Sequence, residues 1–98
     1  MHIYISRSRT ETFNGWSAEE LADIDEANSM TALDEQTMAA IKAKYSNAEV
    51  ELVNGNGLEY LRTYPQSDAV EMGVEDIMTT VYDGWKWLRD SESKEVQA

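Results

Sequence analysis

His2-Ile3-Tyr4-Ile5-Ser6, near the head of the chain, alternates apolar and more polar side chains. A period of two puts Ile3 and Ile5 on one side of an extended segment and His2 and Tyr4 on the other. The segment reads as a β-strand with one face toward a core. Glu49-Val50-Glu51-Leu52-Val53 alternates acid and apolar residues and reads as a second, half-buried strand. Helical patterns lie between the two, so the chain belongs to the α+β class.

Arg7 to Gly15, after the first strand, reads as a polar loop, punctuated by Asn14-Gly15. Ser17-Ala18-Glu19-Glu20 then has the form of a capping box, in which the Ser17 hydroxyl and the Glu20 carboxylate each satisfy the other's backbone N–H. Trp16 before the cap and Leu21 after it are placed to form a hydrophobic staple. The first helix is expected to run to about Ala27 on a narrow apolar face of Leu21 and Ile24. Asn28-Ser29-Met30-Thr31 reads as a break. Leu33, Thr37, Ala40, Ile41 and Tyr45 then recur at helical spacing, which predicts a second helix over 32–45. Asp34 and Glu35 fall in its first turn, and Lys42 and Lys44 in its last.

After the second strand, Asn54-Gly55-Asn56-Gly57 favours a tight turn. Residues 58–64 fit a strand, with Leu58, Tyr60 and Tyr64 on one face, or a helix turn built on Leu58 and Leu61. The turn followed by aromatic residues favours a hairpin. Ala69 to Met72 suits a short strand or the opening of the last helix. From Val74 onward, Ile77, Met78, Val81, Trp85 and Leu88 keep helical spacing across Gly84, where the helix is expected to bend or pack closely.

The expected order is β-α-α-β-β-α: a small two- to three-stranded sheet with helices packed on one face, forming one compact α+β domain over residues 1–90. A polar tail over 91–98 is expected to fray. Parallel pairing of the first two strands would make the helical pair their crossover.

Acid dominates the charge. The 98 residues carry 19 acidic and 8 basic side chains, a formal net charge of -11. Between Thr10 and Ile41 stand Glu11, Glu19, Glu20, Asp23, Asp25, Glu26, Asp34 and Glu35, without a single Lys or Arg. Three Trp and five Tyr argue against an acidic disordered segment. The charge opposes direct binding to nucleic acid, which needs Lys and Arg against phosphate. It also opposes anionic membranes. There is no Cys for a disulfide or thiolate site. With no apolar run of spanning length, the expected location is cytoplasmic.

No pattern in the sequence assembles into a chemical site. His2 has no local partner for acid–base work and reads as structural. A calcium loop starting at Asp23 would need an oxygen ligand where Ala27 stands and glycine where Asn28 stands. The G-x-G-x-x-G pattern begun by Gly55 and Gly57 meets Tyr60 at its third glycine. No catalytic, cofactor-binding or metal-binding residue is assigned, and the chain is expected not to be an enzyme.

The expected function is binding. Carboxylates three or four residues apart on a helix stand ~5–6 Å from each other. A nucleic-acid duplex carries one negative charge per ~1.7 Å of its axis. A helical surface bearing Glu19, Asp23, Asp25, Glu26, Asp34 and Glu35 is therefore a candidate mimic of nucleic-acid charge. It would occupy the groove of a basic protein, a nucleic-acid-binding effector or nuclease, as a stoichiometric inhibitor. Small, acidic, cysteine-free chains of this type occur among phage and mobile-element counter-defence proteins such as anti-CRISPR and antirestriction proteins. That likeness is one of type, with no family motif behind it. Trp87, two positions past Trp85, reads either as covering the edge of the core or packing against the sheet, or as an exposed anchor. The alternative function is an interaction module or accessory subunit that uses an aromatic surface, with Trp87 and Tyr82 as anchors beside the sheet face. In that case the acid serves solubility.

Overall fold

The computed structural model of the chain describes residues 1–8, 12–55 and 59–90. Six elements follow in order: β1 (His2–Ser8), α1 (Ala18–Ala22), α2 (Glu26–Lys44), β2 (Glu49–Gly55), β3 (Tyr60–Tyr64) and α3 (Asp68–Gly84). The order is the β-α-α-β-β-α expected of an α+β chain. The polar tail over 91–98 and the Asn56-Gly57 half of the expected turn lie outside the described residues, as do Arg9, Glu11 and Leu58.

β1 is the central strand of the sheet β2-β1-β3. It pairs parallel with β2, Ile3 opposite Val50 and Ile5 opposite Leu52. It pairs antiparallel with β3, Ile3 opposite Thr63 and Ile5 opposite Leu61. The expected hairpin is therefore corrected. β2 and β3 lie on opposite sides of β1 and do not pair with each other, and the turn residues Asn54 and Gly55 are themselves strand residues of β2, opposite Arg7 and Ser8. The helical pair is the crossover that a parallel pair needs.

Alternation sets the two faces of the sheet. Ile3 and Ile5 are fully buried with Ile41 of α2 and Val74 of α3, and Val50, Leu52, Leu61, Ile77 and Met78 pack around them. Where α3 meets the end of α2, the hydroxyl of Tyr45 occupies the space a side chain at Gly73 would need. Close packing thus falls at Gly73. Gly84 has open space beside it.

β1 also runs further than expected, and Arg7 belongs to it rather than to a solvated loop. Arg7 lies in phase with Ile3 and Ile5 and is buried. Its guanidinium donates to Asp34 at 3.1 Å and to Thr37 Oγ1 at 3.3 Å, both on α2. Asp34 is thus a mid-helix residue that neutralises a buried cation, not a residue of a helix's first turn.

The helix boundaries before it move for a capping reason. The Ser17 capping box forms as expected, with Glu20 N–H donating to Ser17 Oγ at 3.1 Å and Ser17 N–H to Glu20 Oε1 at 3.2 Å. But α1 stops at Ala22. The break falls at Asp23 to Asp25, not over 28–31, because Asp25 is a second N-cap. Its carboxylate accepts from Asn28 N–H at 3.2 Å and from the Asn28 side-chain amide at 2.7 Å. The residues read as a break open α2 instead, with Ser29 and Met30 buried.

At its other end α3 does not bend at Gly84; it ends there. Trp85 takes a left-handed conformation, φ 58°, rare for a bulky residue. The chain turns back, and Trp87 enters a second core with Phe13, Ile24, Met30, Ala32 and Leu33. Trp16, Leu21, Val81, Tyr82 and Leu88 flank that core. The indole N–H of Trp87 donates to the Tyr82 carbonyl at 3.0 Å. Residues 85–90 then lock onto α2. Asp25 N–H donates to Arg89 O at 2.7 Å. Arg89 N–H donates to Ser29 Oγ at 2.9 Å. The two cores lie in an elongated molecule, 44 × 23 × 20 Å. No helix among the described residues is long and apolar enough to cross a membrane.

Removing the ring that fills the second core should be costly. Trp87→Ala is expected to lower stability by about 3–5 kcal/mol, the range for deleting a buried aromatic. Trp85→Gly should lower it by much less, since glycine suits the left-handed position. Urea unfolding followed by far-UV circular dichroism checks the pair. Equal losses would refute this account of the helix end.

Candidate partner-binding surfaces

The structure sorts the acids of the charge stretch by employment. Asp25 is buried and caps α2. Asp34 holds Arg7, with side chains 19% and 4% exposed respectively. Glu20 completes the capping box. Glu26, in the first turn of α2, complements the helix dipole. Glu19, Asp23 and Glu35 are exposed and form no ion pair with any described residue. So of the acids named as a candidate charge mimic, Asp25 and Asp34 are corrected to structural roles. Glu19 lies in the first turn of α1, Asp23 is its C-cap four residues on, and Glu35 belongs to α2.

Arg7 explains why Asp34 is held back. Burial lowers the Arg7 pKa from its ordinary value, while Asp34 and then Glu59 pull it up. A guanidinium stays charged in a protein regardless, so its carboxylate partner offsets the loss of hydration. A carboxylate held this way is not free for an outside partner.

Trp87 is corrected as a surface anchor. It is fully buried and belongs to the core. Trp85, read from helical phase as a core residue, is instead 44% exposed. The exchange follows from the helix ending at Gly84, because the phase of α3 does not carry past that residue. Trp85 packs on Trp16 and Tyr82, with ring centroids 6.0 and 5.0 Å away. Tyr82 itself is half-buried and spends its hydroxyl on the Thr12 carbonyl at 2.8 Å.

The second surface is the face of the sheet away from the helices. Register places three rows across it, Glu49–His2–Tyr64, Glu51–Tyr4–Arg62 and Val53–Ser6–Tyr60. Val53, Tyr60 and Tyr64 are each about half exposed or more, at 51%, 48% and 57%. His2 and Tyr4 stack at 4.0 Å, and Tyr4 meets Tyr64 edge to face at 5.7 Å. The Arg62 guanidinium lies 5.3 Å from the Tyr60 ring centre. Tyr4, Tyr60, Arg62 and Tyr64 line an open depression of about 390 Å³. The alternation of β1 already pointed to this face. What it lacked was the partner strands, since only the register brings Tyr60, Arg62 and Tyr64 beside Tyr4. His2 Nδ1 sits 3.4 Å from Glu49. Among the described residues there is no group of three or more His, Cys, Asp or Glu side chains placed to hold a metal ion.

The employed and exposed acids should respond differently to neutralisation. Asp34→Asn leaves a buried guanidinium without its countercharge and should cost about 3 kcal/mol. Asp25→Ala removes an N-cap and should cost about 1–2 kcal/mol. Asp23→Ala and Glu35→Gln should stay within about 0.5 kcal/mol of the parent. Chemical denaturation of the four variants checks this ranking, and a costly Glu35→Gln would contradict it.

The chain matches no family model, no curated protein and no solved structure.

Proposed function

We propose that the protein is a non-enzymatic acidic binding protein that engages a basic protein partner stoichiometrically. In this reading it inhibits a nucleic-acid-binding effector or nuclease by presenting nucleic-acid-like charge, as counter-defence proteins of the anti-CRISPR and antirestriction type do. The carrying observation is the state of the exposed acids. Glu19, Asp23 and Glu35 remain exposed and in no ion pair with a described residue, while four of the described bases, Arg7, Lys44, Arg62 and Arg89, are drawn into other contacts. Arg7 is buried against Asp34. Arg89 donates to the carbonyls of Lys86 and Leu88. Arg62 and Lys44 lie over tyrosine rings. Self-repulsion opposes the compact state. A surface that forgoes local compensation at three- and four-residue spacings is well suited to a cationic groove.

A second reading has its own observation. The uncovered sheet face exposes Val53, Tyr60 and Tyr64 together, which suits an interaction module whose binding rests on aromatic contact rather than charge.

Salt separates the two. Immobilised protein should capture a basic partner from cell lysate at about 50 mM salt and lose most of it by about 300 mM, because screening and counterion uptake remove the attraction. Duplex DNA should compete for the captured protein. The triple reversal Glu19→Lys, Asp23→Lys, Glu35→Lys should abolish capture with the fold intact. A complex that survives both the reversal and the higher salt eliminates charge mimicry in favour of the aromatic module.

A further inference from the structure

We infer that the open face of the sheet docks arginine side chains from an extended segment of the basic partner. The inference rests on the reading of a basic partner and adds which of its residues are recognised, and where.

The first ground is an internal precedent. Arg62 already lays its guanidinium 5.3 Å from the Tyr60 centroid, inside the ~6 Å reach of a cation–π contact. The face therefore accepts a guanidinium over a tyrosine. Tyr64 is the most exposed of its rings, at 57%. In the edge-to-face pair with Tyr4, one ring keeps both faces clear of the other.

Charge complementarity is the second ground. Register sets Glu51 beside Tyr4 and Glu49 beside His2, and both glutamates are exposed. A ring face next to a carboxylate suits arginine better than lysine. The planar guanidinium stacks on the ring and forks onto the carboxylate at once, whereas an ammonium is a compact, strongly hydrated point charge.

Spacing is the third. Residues two apart on a strand are about 6.8 Å apart and share a face. Glu49 and Glu51 repeat at that interval along β2, which matches alternate residues of an extended partner, as in Arg-x-Arg. Aromatic sheet faces can also stack the bases of single-stranded nucleic acid. That use needs cations tracking the phosphates. Here the exposed charges of the face are Glu49 and Glu51 against Arg62, whose guanidinium lies over Tyr60.

The test uses the whole, isotope-labelled chain and nuclear magnetic resonance. It is titrated at low salt with a short peptide of alternating Arg and Gly, with its Lys–Gly counterpart, and with a short oligothymidine. The Arg peptide should shift the rings of Tyr4, Tyr60 and Tyr64 and the amides of 2–6 and 49–53. It should bind at least about threefold more tightly than the Lys peptide. Tyr64→Ala should weaken it about threefold or more, and Tyr64→Phe, which keeps the ring face, should restore it. Arg62→Ala should tighten it by freeing Tyr60 and removing a like charge. The triple reversal at Glu19, Asp23 and Glu35 should leave the preference for Arg over Lys unchanged. Equal affinity for the two peptides, no shift on the sheet, or oligothymidine shifting the same rings would each overturn the inference. Shifts confined to Glu19, Asp23 and Glu35 would overturn it while leaving the basic-partner reading intact. Loss of the salt-sensitive capture removes that reading independently of the peptide result.

Discussion

Parallel pairing of β1 with β2 is the constraint from which the rest of the architecture follows. Two parallel neighbours cannot be joined by a tight turn, so the chain must travel the length of the sheet before β2 begins. It does so as α1 and α2, of which α2 lays Ile41 over the face holding Ile3 and Ile5. The last helix, α3, packs on the same side, completing the core around Ile41 and Val74. Nothing among the described elements covers the other side. An exposed face crossed by Tyr4, Tyr60 and Tyr64 is thus a product of topology as much as of composition.

The same crossover decides which acids are available. α2 passes over β1 with Asp34 and Thr37 facing Arg7, and a buried guanidinium without such partners would be far costlier than the pair. One carboxylate of the acidic stretch is therefore fixed by the need to neutralise the core, and Asp25 is fixed by the need to start α2. The charge left over on Glu19, Asp23 and Glu35 is what a partner would meet. Surface acid in this chain is a remainder after local structural demands have been met. A smaller remainder concentrated on fewer residues makes a sharper functional hypothesis than the raw count of carboxylates did.

Local signals were readable wherever one residue and its near neighbours decide the outcome. The alternation in His2 to Ser6 and Glu49 to Val53 located two strands, Ser17 and Glu20 located a helix start, and Leu33, Thr37 and Ile41 located the buried stripe of α2. Failures came where a distant element casts the deciding vote. Arg7 looks like a loop residue until α2 brings Asp34 to it. Asn54-Gly55 looks like a hairpin turn until β1 separates β2 from β3. Asp25 and Asn28 did carry a local signal, an N-cap with a second side chain three residues on, but the expectation of a longer α1 masked it. Helical phase misplaces Trp85 because α3 ends one residue before it, at an end stabilised by what Trp87 packs against and not by any strong stop residue at the αL position; Trp87, two positions on, keeps both a core-edge and a surface reading until that end is known. The candidate site was half legible for the same reason: Tyr4 sat on the outward face from the start, but its companions belong to β3.

The return of residues 85–90 onto α2 has a consequence for the order of events at the ribosome. Every helix and strand of the described fold is synthesised before Trp87 emerges. The sheet core of Ile3, Ile5, Ile41 and Val74 can close without it. The second core cannot, because Phe13, Met30 and Leu33 have no lid until that indole arrives, and Asp25 N–H has no acceptor until Arg89 follows. A chain with only the sheet core closed would be half finished, with one end consolidated and the other a greasy notch. The acid crowded around the notch on Glu19, Glu20 and Asp23 would then act as a solubilising guard, keeping the unfinished end from sticking to its neighbours.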